Sequence, residues 1–185
     1  LLLIHDREGH VRALDFHDFE PRMRRLLRLH YGAEGHDFTI EDRAAPAAIR
    51  RALSDYFLGA LYAINSIPVT TGGTSFQREV WAALRTIKAG TTLSYGALAR
   101  QLGRAKSVRA VGLANGANPV AILIPCHRVI GTDGSLTGFG GGISRKRWLL
   151  LHEGVALEKS ATREIPEGDR CVTIVAIEIG AQAHV

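Results

Sequence analysis

The sequence predicts an α+β protein: an N-terminal α/β unit with antiparallel strands and helices, followed by a mostly helical C-terminal domain with a helix-turn-helix and a Gly-rich loop at the candidate active site. Three observations carry this. Short β-prone runs and two amphipathic helices fill the first 66 residues, the turn-rich stretch Pro68-Val-Thr-Thr-Gly-Gly-Thr-Ser75 then changes the texture, and two short helices joined by a glycine turn follow it. The implied segments are 1–70, 71–158 and a tail, 159–185, to which no role attaches.

The elements follow in order. LLLIH and HVRALDF flank Asp6-Arg7-Glu8-Gly9 and read as a β-hairpin. From Pro21, the residues Met23, Leu26, Leu27 and His30-Tyr31 fall at helical spacing, with Gly32 as the stop. Phe38–Ile40 reads as a strand, and Ala47–Leu58 as a second helix ending near Gly59. Phe76, Val80, Trp81 and Leu84 share one face of a helix that Thr74 or Ser75 can cap and that runs to Gly90. Ser94 caps a short helix, Tyr95–Leu102; Gly103 turns the chain, and Ser107 opens a second helix towards Asn115 or Gly116. Ala121–Ile124 reads as an apolar strand leading into Pro125-Cys-His-Arg-Val-Ile130. Gly138-Phe-Gly-Gly-Gly142 precedes a last helix, Ser144–Glu153, with Trp148, Leu149 and His152 on one face. Beyond Gly154 a polar stretch runs to Gly168, and Cys171–Ile179 is a β-prone run without an evident partner.

The 185 residues are enough for a sizeable core without metal or disulfide support, and 46% hydrophobic with 22% charged residues is an ordinary globular balance. No apolar run approaches the roughly 18–20 residues of a membrane span, which excludes an integral membrane protein. Cys126 and Cys171 are too few for a disulfide framework and LLLIHDREGH has no secretory pattern, so the expectation is a reducing, cytoplasmic setting. The net charge of +5 is unevenly spread: −1 over residues 1–75, +8 over 76–159 and −2 over 160–185. A basic middle third is either a footprint for a polyanion or a solvated surface.

Two features of that third bear on chemistry. The helix from Ser107 to Ala117 contains Gly112 and Gly116, each costing about 1 kcal/mol relative to alanine. Either a neighbouring helix packs tightly there, or a nucleic-acid backbone or groove comes close and Arg109 is the one long side chain projecting from a smooth face. Cys126 is either a buried inert thiol or a nucleophile, because His127 can take its proton and the adjacent Arg128 can favour the thiolate. Residues adjacent along a strand seldom bond side chain to side chain, so His127 would act through a bridging water. Its other nitrogen needs a carboxylate, and residues 76–159 offer only Glu79, Asp133, Glu153 and Glu158. Glu153, at the end of the last helix, is best placed.

Pro125-Cys-His-Arg-Val129, Ser94-Tyr95, Ser107-Val-Arg-Ala-Val111, Asn118-Pro119 and Trp148-Leu-Leu-Leu-His-Glu-Gly154, in that register, resemble the O6-alkylguanine-DNA alkyltransferases (methylated-DNA–protein-cysteine methyltransferases) of the bacterial Ogt-type branch. The likeness spans residues 1–158. It implies direct-reversal DNA repair: irreversible, stoichiometric transfer of a methyl or larger alkyl group from O6-alkylguanine, and also from O4-alkylthymine, to the protein's own cysteine. By the resemblance, Cys126 is the alkyl acceptor, His127 the base through water, Glu153 the orienter of the imidazole, and Asn118 the link between the second helix and the cysteine segment. Tyr95 crowds the phosphate and donates to the guanine ring, Arg109 fills the gap left by the flipped base, and Ala110, Val129 and Gly140 complete the DNA and substrate contacts. The partner is double-stranded DNA, entered from the minor groove and with the target base extruded; no cofactor and no metal are needed, and the protein acts as a monomer.

Two departures from the family stand out. The loop Gly138–Gly142 is nearly all glycine, which leaves a backbone amide as donor to the guanine oxygen and room for alkyl groups larger than methyl. Zinc ligands found in the N-terminal unit of some relatives are not evident, since residues 1–125 hold no cysteine. Three rival readings are a non-enzymatic alkyl-lesion sensor, a helix-turn-helix transcription regulator and a cysteine hydrolase. Intact Cys126 argues against the first, the scarcity of base-reading side chains beside Arg109 against the second, and Cys-His adjacency against the third.

Overall fold

A computed structural model describes residues 1–32, 38–157 and 175–181. The chain forms two compact units. The first comprises Leu1–Thr74, Pro119–Leu123 and Val172–Val185; the second comprises Ser75–Asn118 and Ile124–Cys171.

In the first unit, β1 (Leu2–Asp6) and β2 (Val11–Asp15) pair antiparallel, with an irregularity between Ile4 and His5. Asp6 organises the turn between them: its Oδ1 accepts the backbone N–H of Glu8 and of His10, and its Oδ2 pairs with Arg12 at 2.7 Å. β3 (Phe38–Arg43) is longer than the three residues the sequence indicates. β6 (Val175–Ala181) is the β-prone run for which the sequence offers no partner. It lies between β1, to which it is parallel, and β3, to which it is antiparallel, in a sheet of order β2-β1-β6-β3. One pairing is therefore parallel, where the sequence reading has only antiparallel strands. Residues 158–174, including Glu158 and Cys171, lie outside the described residues.

Two helices cover apolar surface in this unit. α1 (Glu20–Tyr31) stops at Gly32 and packs Met23 and Leu27 on Leu2, Ile4 and Ala13. α2 (Ala47–Phe57) buries Ile49, Ala52, Leu53 and Tyr56, the i, i+3, i+4, i+7 pattern of one helical face. The segment after Asn118 is not the predicted strand Ala121–Ile124. Val120 makes a single bridge to Leu14, and the chain then turns, with the N–H of Leu123 donating to Ala121 at 2.8 Å around Ile122, whose φ is +69°. This is a γ-turn of the strained hand, on a β-branched residue that is fully buried.

The second unit is helical. α3 (Ser75–Leu84) ends six residues before Gly90: at Thr86 and Ile87 the ladder tightens to i→i−3 bonds, to Ala83 and Leu84, and the chain leaves the helix. The two-residue strand β4 (Leu93–Ser94) leads into α4 (Tyr95–Gln101), where Ser94 Oγ accepts the N–H of Ala97 at 3.1 Å as an N-cap. Gly103, at φ +67°, makes the turn that L side chains resist. A 3-10 turn, Ala105–Ser107, then enters α5 (Val108–Gly116), and the Ser107 side chain makes no cap bond. α4 and α5 form the helix-turn-helix that the sequence indicates.

β5 (Val129–Ile130) pairs parallel with β4, Leu93 opposite Val129 and Ser94 opposite Ile130, which brings the start of α4 beside the chain just after Cys126. The last helix is α6 (Ile143–His152). Its buried face is Lys146, Leu149, Leu150 and Glu153, whereas Trp148 and His152 stack on each other half-buried at 5.0 Å. α3 packs on α5 through Trp81, whose indole N–H donates to the Ala114 carbonyl at 2.8 Å. That carbonyl is one of the last four of α5, which lack partners within the helix.

Trp81→Phe keeps most of the ring but leaves that carbonyl buried and unpaired. The expected loss is about 1–3 kcal/mol, read by urea unfolding; an unchanged midpoint would contradict the role given to the indole.

Candidate active site

Around the cysteine the backbone folds back on itself twice in three residues. The N–H of Cys126 donates to the Ile124 carbonyl at 2.7 Å around Pro125, at φ −79° and ψ +62°, an inverse γ-turn. Cys126–Arg128 then form a 3-10 turn instead of continuing a strand. The sequence reading assumed a strand, on which neighbouring side chains alternate. The helical turn instead swings Cys126, His127 and Arg128 around an axis, and all three are buried.

Cys126 is buried, 5% exposed. Asn118, at the end of α5, donates through Nδ2 both to the Ile124 carbonyl at 2.8 Å and to Cys126 Sγ at 3.0 Å. One amide thus ties the helix-turn-helix to the cysteine turn and presents N–H to the sulfur, where it favours the thiolate over the thiol.

His127 is fully buried. Its Nε2 lies 3.0 Å from Glu153 Oε1, and its Nδ1 has no partner among the described residues. Arg128 grips the same carboxylate in a fork, Nε on Oε2 and Nη2 on Oε1, both at 2.8 Å, while its Nη1 donates to the Ile87 carbonyl. Burial by itself would push Glu153 upward. The hydrogen bonds from His127 and Arg128, together with the Arg128 charge, outweigh it and bring the carboxyl down to about 2. Glu153 is therefore ionised at neutral pH and accepts the Nε2 proton. Burial, with the charges of Arg128 and Lys146, lowers the His127 pKa against the pull of Glu153, so the ring is neutral with its lone pair on Nδ1.

This geometry corrects the role given to Arg128. The sequence placed it as the cation beside the thiol, but its guanidinium is spent on Glu153 and a carbonyl. A second buried cation, Lys146, interacts electrostatically with Cys126. Its Nζ donates to the carbonyls of Val129 at 2.6 Å and Thr137 at 2.7 Å and lies 5.9 Å from the Tyr95 ring centroid. Burial lowers its pKa to about 8, and the charge of Cys126 acts in the opposite sense. Its signal was present in the sequence: a lysine at i relative to Leu149, Leu150 and Glu153 at i+3, i+4 and i+7 stands on the buried stripe of α6.

Tyr95 opens α4 with its hydroxyl 3.3 Å from the carbonyls of both Thr137 and Gly138, at the start of the Gly-rich loop. Burial and the negative charge of Cys126 raise its pKa. Gly138, at φ +56°, lies so close that a Cβ there would meet the Tyr95 hydroxyl at 3.3 Å. From the same loop Phe139 sets its ring edge-on to His127, centroids 6.4 Å apart. Gly140 is half-buried in this loop, and Val129 is fully buried with its carbonyl taken by Lys146. Arg109 and Ala110 lie on the exposed face of α5. Arg109 is not alone there: Leu113, one turn on, is 69% exposed and projects from the face that Ala110 and Gly116 keep low.

The family model for the 6-O-methylguanine DNA methyltransferase DNA-binding domain matches residues 75–155. The chain is 48% identical over 157 residues to a methylated-DNA–protein-cysteine methyltransferase of Salmonella typhimurium, a match covering 85% of this chain and 91% of the relative. It is 48% identical over 136 residues to one of Mycobacterium tuberculosis, covering 74% and 78%. Among solved structures, Mycobacterium tuberculosis OGT in complex with DNA aligns with a TM-score of 0.55 at 51% identity, over 58% of this chain and 66% of that one. The O6-methylguanine-DNA methyltransferase of the hyperthermophilic archaeon Pyrococcus kodakaraensis aligns at 0.64 and 30%, over 80% and 88%.

Because the folded-state pKa of Glu153 lies below the ordinary 4.5, the stability it supplies is complete above that pH and is lost as the pH falls from there towards about 2. The linkage corresponds to about 3 kcal/mol. Glu153→Gln should flatten this part of the acid-unfolding profile. At pH 7 it should cost about 3–5 kcal/mol by leaving Arg128 buried without its counter-ion. A variant with the parent's profile between pH 5 and pH 2 would contradict the assignment.

Proposed function

Since the chain belongs to the methylated-DNA–protein-cysteine methyltransferase family, we propose that its DNA-repair alkyl transfer ends on Cys126 and is driven by the residues assembled around it. The observation that carries this is a buried thiol held by Asn118, followed directly by a neutral histidine whose one bare nitrogen is buried and unpartnered while the other is fixed by an ionised glutamate.

The steps balance as follows. A water bridging the thiol to His127 Nδ1 passes the Cys126 proton to the imidazole, and Glu153 stabilises the imidazolium that forms. The thiolate, favoured by the Asn118 amide and by Lys146, attacks the alkyl carbon on the guanine oxygen. The sulfur–carbon bond forms as the carbon–oxygen bond breaks, and the electron pair leaves with the purine. Tyr95 gives its hydroxyl proton to the purine ring, so that the leaving group departs as neutral guanine, and the proton on His127 restores the phenol. The product is a thioether at Cys126, and nothing in the site returns it to a thiol. Each molecule therefore acts once, on O6-alkylguanine and on O4-alkylthymine.

A base inside a duplex cannot reach a buried sulfur, so the target nucleotide is extruded at a cost of a few kcal/mol. The low face of α5 enters the minor groove, Arg109 occupies the space left in the stack, Ala110 lies against the backbone, and the +8 of residues 76–159 supplies phosphate affinity independent of sequence. The Gly140 loop and Val129 line the base site. The protein works as a monomer in the cytoplasm, and no metal or cofactor enters any step.

Incubation with duplex DNA carrying a labelled methyl on guanine O6 should move one label per molecule to the Cys126 peptide, and Cys126→Ala should abolish it. Label that stays on DNA, or more than one turnover per molecule, overturns the proposal. Because the Gly138–Gly142 loop carries no bulky side chain besides Phe139, O6-methyl and O6-benzyl substrates should react at similar rates; strict preference for methyl in a competition assay would show that the loop is closed to larger groups.

A further inference from the structure

Asn115 has no part in the reaction above, yet it is a polar residue on the inner face of α5, beside Val111 and Ala114, and only 2% exposed. Its Oδ1 is buried and has no hydrogen-bond partner among the described residues. Buried side-chain polar atoms are as a rule paired, and an unpaired one costs stability. A leucine would fill this position without that cost, so packing alone does not account for the amide.

The other arm of the amide points to the reacting group. Asn115 Nδ2 lies 3.5 Å from the Tyr95 hydroxyl oxygen. On its far side the same hydroxyl faces the carbonyls of Thr137 and Gly138, both at 3.3 Å. All three contacts are longer than the 2.7–2.8 Å at which a hydroxyl bonds best to oxygen, or the roughly 2.9–3.0 Å usual for N–H to oxygen. The phenol is thus held between a donor and two acceptors without being locked onto either.

We propose that Asn115 is a positioning residue for Tyr95. Its N–H donates to the phenol oxygen, which obliges the phenol's single proton to point away from α5, towards the loop carbonyls at rest and towards the purine ring when a flipped base arrives. As that proton moves to the departing guanine, negative charge develops on the phenol oxygen, and the amide N–H is already directed at it. The same contact opposes the upward pull that burial and the Cys126 charge exert on the Tyr95 pKa. No new bond is made or broken by Asn115, and the proton inventory of the reaction is unchanged. The inference rests on the reading that Tyr95 protonates the leaving base.

The test is a double-variant cycle on the single-turnover transfer rate, at saturating concentrations of a duplex with one O6-methylguanine. Asn115→Leu should slow transfer about five- to tenfold, the worth of one hydrogen bond, while its thermal midpoint equals or exceeds the parent's and its DNA affinity is unchanged. Asn115→Ala, which removes the amide without adding bulk, should slow transfer to the same extent. In a Tyr95→Phe background, Asn115→Leu should have no further effect. Equal slowing in both backgrounds, or no slowing in the parent, overturns the proposal while leaving the Tyr95 reading intact. A Tyr95→Phe variant that transfers at the parent's rate overturns both.

Discussion

The ionised carboxylate of Glu153 is the constraint on which the second unit depends. It is buried at the end of α6, and the fork from Arg128 and the ring N–H of His127 offset the cost of that burial. Each partner is fixed in return. Arg128 is anchored at its other end to the Ile87 carbonyl, beyond α3, and His127 is held in the tautomer that frees Nδ1. Because both partners follow Cys126 directly in the chain, one carboxylate sets the orientation of the whole cysteine turn. A protein that reacts once has no need to reset this arrangement between turnovers.

α5 connects that turn to the solvent-exposed side of the same unit. Its buried face carries Val111, Ala114 and Asn115, and its exposed face carries Arg109, Ala110, Leu113 and Gly116. At its end, Asn118 donates to the Ile124 carbonyl and to the sulfur, so the helix that exposes Arg109 and Ala110 also holds Cys126. A Cβ would fit at both glycines of α5, so neither one marks a tightly packed helix contact. Gly112 sits near the Tyr95 ring, where a Cβ would come to 3.9 Å, and Gly116 faces open space.

Much of this was legible in the sequence because local chemistry determines it. The hairpin, α1, α2 and the helix-turn-helix follow from periodicity and from stop signals at Gly32 and Gly103. What failed was long-range or depended on backbone curvature. Ala121–Ile124 is apolar enough for a strand, but Ile122 adopts a positive φ that only its surroundings can impose. Val175–Ala181 could not be given a neighbour because its partners, β1 and β3, lie more than a hundred residues away. Cys126, His127 and Glu153 were legible from residue type and position together. Lys146 was not, because three adjacent basic residues read as a solvated surface until the buried stripe of α6 is traced through Glu153. Arg128 was assigned to the wrong partner for a related reason: adjacency in sequence suggests adjacency in space, and the 3-10 turn directs the guanidinium to the carboxylate instead.

The central claim is that burial keeps His127 neutral while Glu153 fixes its proton on Nε2 and leaves Nδ1 bare. Nitrogen NMR of the His127 ring in the unreacted protein tests it most directly. The expected result is a neutral ring with its proton on Nε2, persisting across neutral pH, and in Glu153→Gln a ring that stays neutral but loses its preference for the Nε2 proton. An imidazolium at neutral pH, or a proton on Nδ1, would contradict it.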